Sequence, residues 1–149
     1  MKDAPARERT ISFLPVHTPD DILPEHRGTP VGDLLRYHNL GQEHSTYARA
    51  ELLIGMCMDH RNVLCIPDRF AYVLRAGGAN LQRIEFKVSF AIAIGGVKAL
   101  ALIGHDECGM MDLRSRRDDF VRGLVERAGW SEADAQAHFD KNADVFEID

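Results

Sequence analysis

QRIEFKVSFAIAIGGVKALALIGHDECG, residues 82–109, decides the fold. Its first half, Gln82 to Ile94, carries Ile84, Val88, Ala91 and Ile92 at helical spacing, and Gly95-Gly96 then stops it. Ala99 to Ile103 follows as a short, continuous apolar run of strand length. Upstream, Ala50 to Met56 is a similar run broken only by Glu51, and Phe70 to Leu74 is another. Strand, helix, strand at this spacing predicts a right-handed crossover and a parallel sheet. The expected class is therefore α/β, with a central, mainly parallel β-sheet flanked by helices.

Helices are also expected outside this unit. Thr29-Pro30 reads as an N-cap with proline at the first helical position, Val31, Leu34, Leu35 and His38 keep helical spacing, and Gly41 ends the run. Downstream, Asp118 to Arg127 has Phe120, Val121, Leu124 and Val125 as its apolar side. Ser131-Glu132-Ala133-Asp134 resembles a helix start with an acidic first turn. Residues 1–28 contain Pro5, Pro15, Pro19 and Pro24 among charged residues and predict an arm with little regular structure. Its apolar Ile11, Phe13, Leu14 and Val16 fit a segment that wraps another subunit; an unordered tail is the alternative. The expected organisation is this arm followed by one α/β domain, 29–149.

Composition excludes several classes. At 149 residues the chain can bury a real core. A net charge of −5 without a dense basic run argues against a nucleic-acid partner. The longest apolar stretch, around Ala99 to Ile103, is too short to span a bilayer, and the charged N-terminus lacks the apolar core of a signal peptide. Three cysteines cannot all pair within one chain, and two of them lie in ligand-like motifs, so thiolates in a reducing, cytoplasmic setting are expected. The third, Cys65 in Val63-Leu64-Cys65-Ile66, reads as a small buried hydrophobe.

The chemistry sits at the ends of the apolar runs. Cys57-Met58-Asp59-His60-Arg61 closes one run, and His105-Asp106-Glu107-Cys108-Gly109 closes another. Cys57, His105 and Cys108 supply two thiolates and one imidazole. Zinc sites that keep a fourth position open for water use such Cys₂His sets. Ligands in open α/β sheets sit beyond the carboxyl ends of the strands, which is an independent reason for the two motifs to converge. Asp59 and Arg61 share the turn of the first ligand, and a carboxylate with a guanidinium beside an open zinc position points to catalysis.

Cys-x-Asp-x-Arg followed at a distance by His-x-x-Cys-Gly resembles the signature of the β-class carbonic anhydrases, over roughly Val31 to Met111. The resemblance implies a sheet of that family's type, zinc on Cys57, His105 and Cys108, and reversible hydration of CO₂ to bicarbonate by a zinc-bound hydroxide. It makes Asp59 the acceptor that aims the hydroxide and Arg61 the group that keeps Asp59 ionised and oriented. In some members the equivalent aspartate turns onto the metal instead, and the sequence allows either state. Members of the wider family hydrolyse CS₂ or COS, so that chemistry is the nearest rival; a non-catalytic zinc-binding module is the third reading. The resemblance also implies a homodimer or higher homo-oligomer, since family members surround the zinc with residues of both chains.

The chain departs from the family pattern in two places. Arg75-Ala76-Gly77-Gly78 stands where the family reads Arg-Asn-Ala-Gly, with Ala76 in place of asparagine and Gly77 in place of alanine. The paired glycines suit close backbone approach to the metal pocket, which makes Gly77 and Gly78 the candidate substrate-binding residues; an ordinary strand-to-helix turn is the alternative. The stretch after Gly109 is also shorter than the family usually carries, with Val145 to Ile148 standing for the start of a further strand. An edge left open there favours completion by another subunit. His38, His44 and His60 read as surface or satisfied histidines, and Met110 and Met111 as packing residues.

Overall fold

Leu52–Cys57 forms strand β1, whose six residues are all buried. In the computed structural model, which describes residues 14–148, it is the middle strand of a three-stranded sheet ordered β2-β1-β3. Its neighbours are β2 (Ala71–Ala76) and β3 (Ala99–Ile103), and both pair with it in parallel. A central parallel strand is covered on both faces, so it reads as a continuous apolar run rather than an alternating one. One face places Leu52, Ile54 and Met56 against Leu34, Tyr37 and Phe70, the main core cluster. On the other face Gly55 leaves the space that Leu81 and Leu102 fill.

Among the described residues four α-helices accompany the sheet: α1 (Pro30–Leu40), α2 (Glu85–Ala93), α3 (Arg117–Ala128) and α4 (Glu132–Phe146). The α/β class and the parallel sheet expected from the sequence are thus present. Helix α1 starts where expected: the Thr29 hydroxyl accepts from the Gly32 amide, Pro30 sits at the first position, and Gly41 ends the helix at φ 63°. Ser131 likewise caps α4 by accepting from the Asp134 amide. Val121 of α3 and Ala135, Phe139 and Ala143 of α4 are buried. Arg117 forks onto Asp140 across this helix pair at 2.8 and 2.9 Å.

Some boundaries move. β1 and β2 begin later than their apolar runs and extend to Cys57 and Ala76. Helix α2 begins at Glu85 rather than Gln82, because the Asn80 side chain accepts from the Gln82 amide and Arg83 takes φ 66°. Those local bonds hold residues 80–84 as a turn, the usual competition between short polar side chains and a helical first turn. Ala91 of α2 is buried as expected, but Ile92 is exposed, since the apolar residues of this helix surround its axis. Cys65 is exposed, contrary to its reading as a buried hydrophobe. The stretch around it is not a strand, and its Leu64 and Ile66 turn to the core cluster while Val63 and Cys65 turn out.

The N-terminal segment is described from Leu14 onward, so Ile11 and Phe13 lie outside the described residues. Pro19–Asp21 and Pro24–His26 form single 3-10 turns, and Ile22 between them is fully buried. Near the other end Val145 and Phe146 still belong to α4. Only Ile148 makes a strand-like contact, an isolated parallel bridge to Met111.

Phe70 is fully buried, with ring centroids 5.5 Å from Tyr37 and 5.0 Å from Tyr47. Phe70→Ala should destabilise the protein by about 3–5 kcal/mol, read from the urea midpoint at unchanged slope. A loss under 1 kcal/mol would show that this cluster is not the one holding α1 to the sheet.

Candidate metal centre

Strand pairing brings the two motifs together. Met56 lies opposite Ile103 on β3, so the chain leaves β1 through Cys57 beside the point where β3 runs into Gly104-His105. His105 and Cys108 then sit on one tight loop whose Glu107 takes φ 54°. The Cys57 and Cys108 sulfurs are 3.8 Å apart, and both residues are buried. One ligand atom from each of Cys57, His105 and Cys108 falls within 4.8 Å of the others. Among the described residues this is the group of three or more such side chains with metal-site spacing.

The donor chemistry fits a cation. The Nδ1 of His105 lies 2.8 Å from the Asp106 carbonyl, which can only accept, so Nδ1 carries the hydrogen. The Nε2 lone pair therefore faces the sulfurs, buried and without a hydrogen-bond partner. A carbonyl that fixes the tautomer in this way is the usual support for a metal-ligating histidine. Burial pushes the Cys57 thiol up, but the backbone amide of Asp59, the His105 imidazole and the backbone amide of Gly78 outweigh it and lower the thiol to about 7. The Cys57 sulfur in turn raises the His105 pKa. A thiol poised to ionise and an orphaned ring nitrogen form a set that a metal ion completes.

Asp59 and Arg61 stand beside this group. Arg61 donates from Nε to Oδ1 at 3.0 Å and from Nη2 to Oδ2 at 2.6 Å, and its backbone amide donates to Oδ1 at 2.9 Å. The Arg61 side-chain bonds hold the Asp59 carboxyl well below the usual carboxylate range. Both carboxylate oxygens are thus engaged by Arg61, the arrangement in which Asp59 sides with the guanidinium and not with the thiols. Arg61 Nη2 also donates to the Glu107 carbonyl at 3.2 Å, which ties the loop after β1 to the loop after β3.

A cavity of ≈ 570 Å³ opens on the cluster, with Cys57, Met58, Asp59, Arg61, Gly77, Cys108 and Met110 in its wall. Gly77 lines this cavity, and a steric constraint acts on it. A side chain at Gly77 would run into Met110, and one at Gly78, which takes φ 62°, would meet Ile148. The glycines let the turn after β2 lie close under Met110 while the Gly78 amide faces the Cys57 sulfur. Glu107 and Met110 were not singled out as site residues from the sequence; their adjacency to the second motif was the available signal.

The histidines outside the cluster are engaged or exposed. His38 Nδ1 accepts from the Cys65 amide at 3.2 Å, and His44 packs edge-on against Tyr37. His60 is exposed, with Nδ1 4.0 Å from Asp59 Oδ1. No protein-family model matches the chain, and no curated protein matches it.

The wild-type chain should bind one divalent ion, and Cys108→Ser should lose it. Elemental analysis after gel filtration gives the test, and a full complement of metal in Cys108→Ser would remove Cys108 from the ligand set.

Proposed function

We propose that this protein is a zinc-dependent carbonic anhydrase of the β-class type, hydrating CO₂ reversibly to bicarbonate. The observation that carries the reading is the Asp59–Arg61 fork beside the Cys57, His105 and Cys108 group. Two thiolates and one imidazole are donors suited to zinc, and Cys57, His105 and Cys108 would hold it. Zinc held by Cys57, His105 and Cys108 would supply Lewis acidity at this end of the sheet.

The chain's own residues then divide the remaining work. Asp59, kept ionised by Arg61, is a pure acceptor and would orient a water beside the metal group by accepting its hydrogen. Arg61 fixes Asp59 with a two-pronged bond and cannot itself give up its proton at working pH. Met58, Met110 and Gly77 form an apolar wall beside the group, suited to an uncharged substrate. That wall also favours the second reading, hydrolysis of CS₂ or COS on the same residues.

Stopped-flow CO₂ hydration by zinc-loaded protein, with CS₂ and COS in parallel, tests the reading. Turnover of CS₂ or COS alone would select the rival, and zinc binding without any turnover would leave a non-catalytic module. Asp59→Asn should keep its zinc and lose about 100-fold in kcat/KM, because the amide can donate where only an acceptor serves. Near-normal hydration by zinc-replete Asp59→Asn would count decisively against the role assigned to Asp59.

Assembly is part of the proposal. Among the described residues β3 is an edge of the sheet, and Phe86, Phe90, Ile92 and Ile94 of the α2 region and Leu100 and Leu102 of β3 are exposed. Open edges and apolar surface of this kind mark association sites. We read them as the face of a homodimer. No described helix is long and apolar enough to cross a membrane. The thiols of Cys57, Cys65 and Cys108 are free, which suits a reducing compartment such as the cytoplasm. Light scattering at micromolar concentration should show a dimer for the wild-type chain and a monomer for Phe86→Asp/Leu102→Asp. An unchanged mass in the double variant would place the interface elsewhere.

A further inference from the structure

Arg75 is the penultimate residue of β2 and lies opposite Met56 in the ladder. Its side chain reaches across the end of the sheet to the loop that leaves β1. Nη1 donates to the Cys57 carbonyl at 3.1 Å and lies 3.5 Å from the Asp59 carbonyl, while Nη2 donates to the Asn62 carbonyl at 2.8 Å. The loop closes on itself around this group: the Asn62 amide donates to the Asp59 carbonyl at 3.1 Å, and the Met58 amide to the Ala76 carbonyl at 3.0 Å. Three carbonyls of one short loop therefore converge on one guanidinium. Among the described residues Arg75 forms no ion pair, so its donors are committed to this loop.

Resting on the proposed function, we propose that Arg75 is a positioning residue, which holds residues 57–62 in the shape that presents Asp59 and Arg61 to the metal group. The chemistry requires arginine. A rigid planar fork with five donors can satisfy carbonyls on two sides of a turn at once, whereas a lysine ammonium is a point donor on a flexible stem. Cys57 does not depend on Arg75 in the same way, because its backbone is already fixed at the end of the β1–β2 ladder opposite Ala76. Asp59 and Arg61 lie beyond that ladder, and besides Arg75 their loop is held by bonds within itself, by Met58 to Ala76 and by Arg61 to Glu107. Removing the guanidinium therefore disturbs the catalytic pair and spares the ligand set.

The test uses the full chain with Arg75→Ala and Arg75→Lys, and cobalt(II) as the metal probe. The cobalt–thiolate absorption band should persist in both variants. Amide hydrogen exchange at Arg61 and Asn62 should speed up by roughly tenfold or more in Arg75→Ala, with Leu53 and Ile54 in β1 still slow. CO₂ hydration should lose roughly tenfold or more in kcat/KM, recover in part when guanidinium is added to Arg75→Ala, and be intermediate in Arg75→Lys. Unchanged exchange at Arg61 and Asn62 would overturn the proposal, and so would loss of the cobalt band in step with activity. If exchange in β1 also accelerates in Arg75→Ala, Arg75→Lys decides by the same criteria. A wild-type chain that hydrates no CO₂ would bring down the functional reading, while the exchange and cobalt measurements would still judge Arg75.

Discussion

The arrangement depends on the burial of β1 on both faces between two parallel partners. Leu52, Leu53, Ile54 and Met56 are almost wholly excluded from water, and each pairs on both sides. Apolar burial of this kind is the main favourable term in folding, and it fixes register as well as stability. Parallel pairing puts the carboxyl ends of all three strands at one edge of the sheet. A slip of one residue would turn Cys57 to the opposite face and separate it from His105 and Cys108. The position of the metal group is thus set by the packing of side chains that never touch a ligand.

Burial alone would work against that group. Burial of the Cys57 thiol opposes its ionisation, and a buried imidazole nitrogen without a partner carries a desolvation cost. The surroundings offset this through polar groups from several segments: the Asp106 carbonyl orients His105, and the Asp59 and Gly78 amides draw Cys57 toward the thiolate. Gly77 and Gly78 permit that approach only because nothing larger stands between the turn and Met110 or Ile148. Ligand donors and turn geometry therefore constrain one another. Gly78, on the turn after β2, is thereby positioned to act on Cys57.

What the sequence revealed follows the range of the forces involved. β3 was legible to the residue, and α1 was legible through Thr29, Pro30 and Gly41, because short apolar runs and caps are local signals. The ligand group was legible because strand order places both motifs at the same edge. The late start of α2 was not, since it depends on Asn80 bonding forward to Gln82 in competition with a helical turn. Cys65 was misjudged because neighbouring apolar residues in an extended loop face opposite ways, and composition does not say which way. The tie from Arg75 to Asn62 joins distant positions through side-chain reach, and no periodicity announces such a bond.

The parts of the site are held to different degrees. Of the candidate ligands, Cys57 stands on β1, where the ladder fixes the backbone, and His105 and Cys108 share the tight loop after β3. Asp59 and Arg61 stand on a loop that the sheet holds only at its start, and loops open more readily than ladders. Such a loop keeps one shape only where groups outside it hold it. Arg75 from β2 and the Glu107 carbonyl from the loop after β3 supply that hold from opposite sides. The loop is thereby anchored to both neighbours of β1, and the constraint that begins in the buried strand is carried out to Asp59 and Arg61.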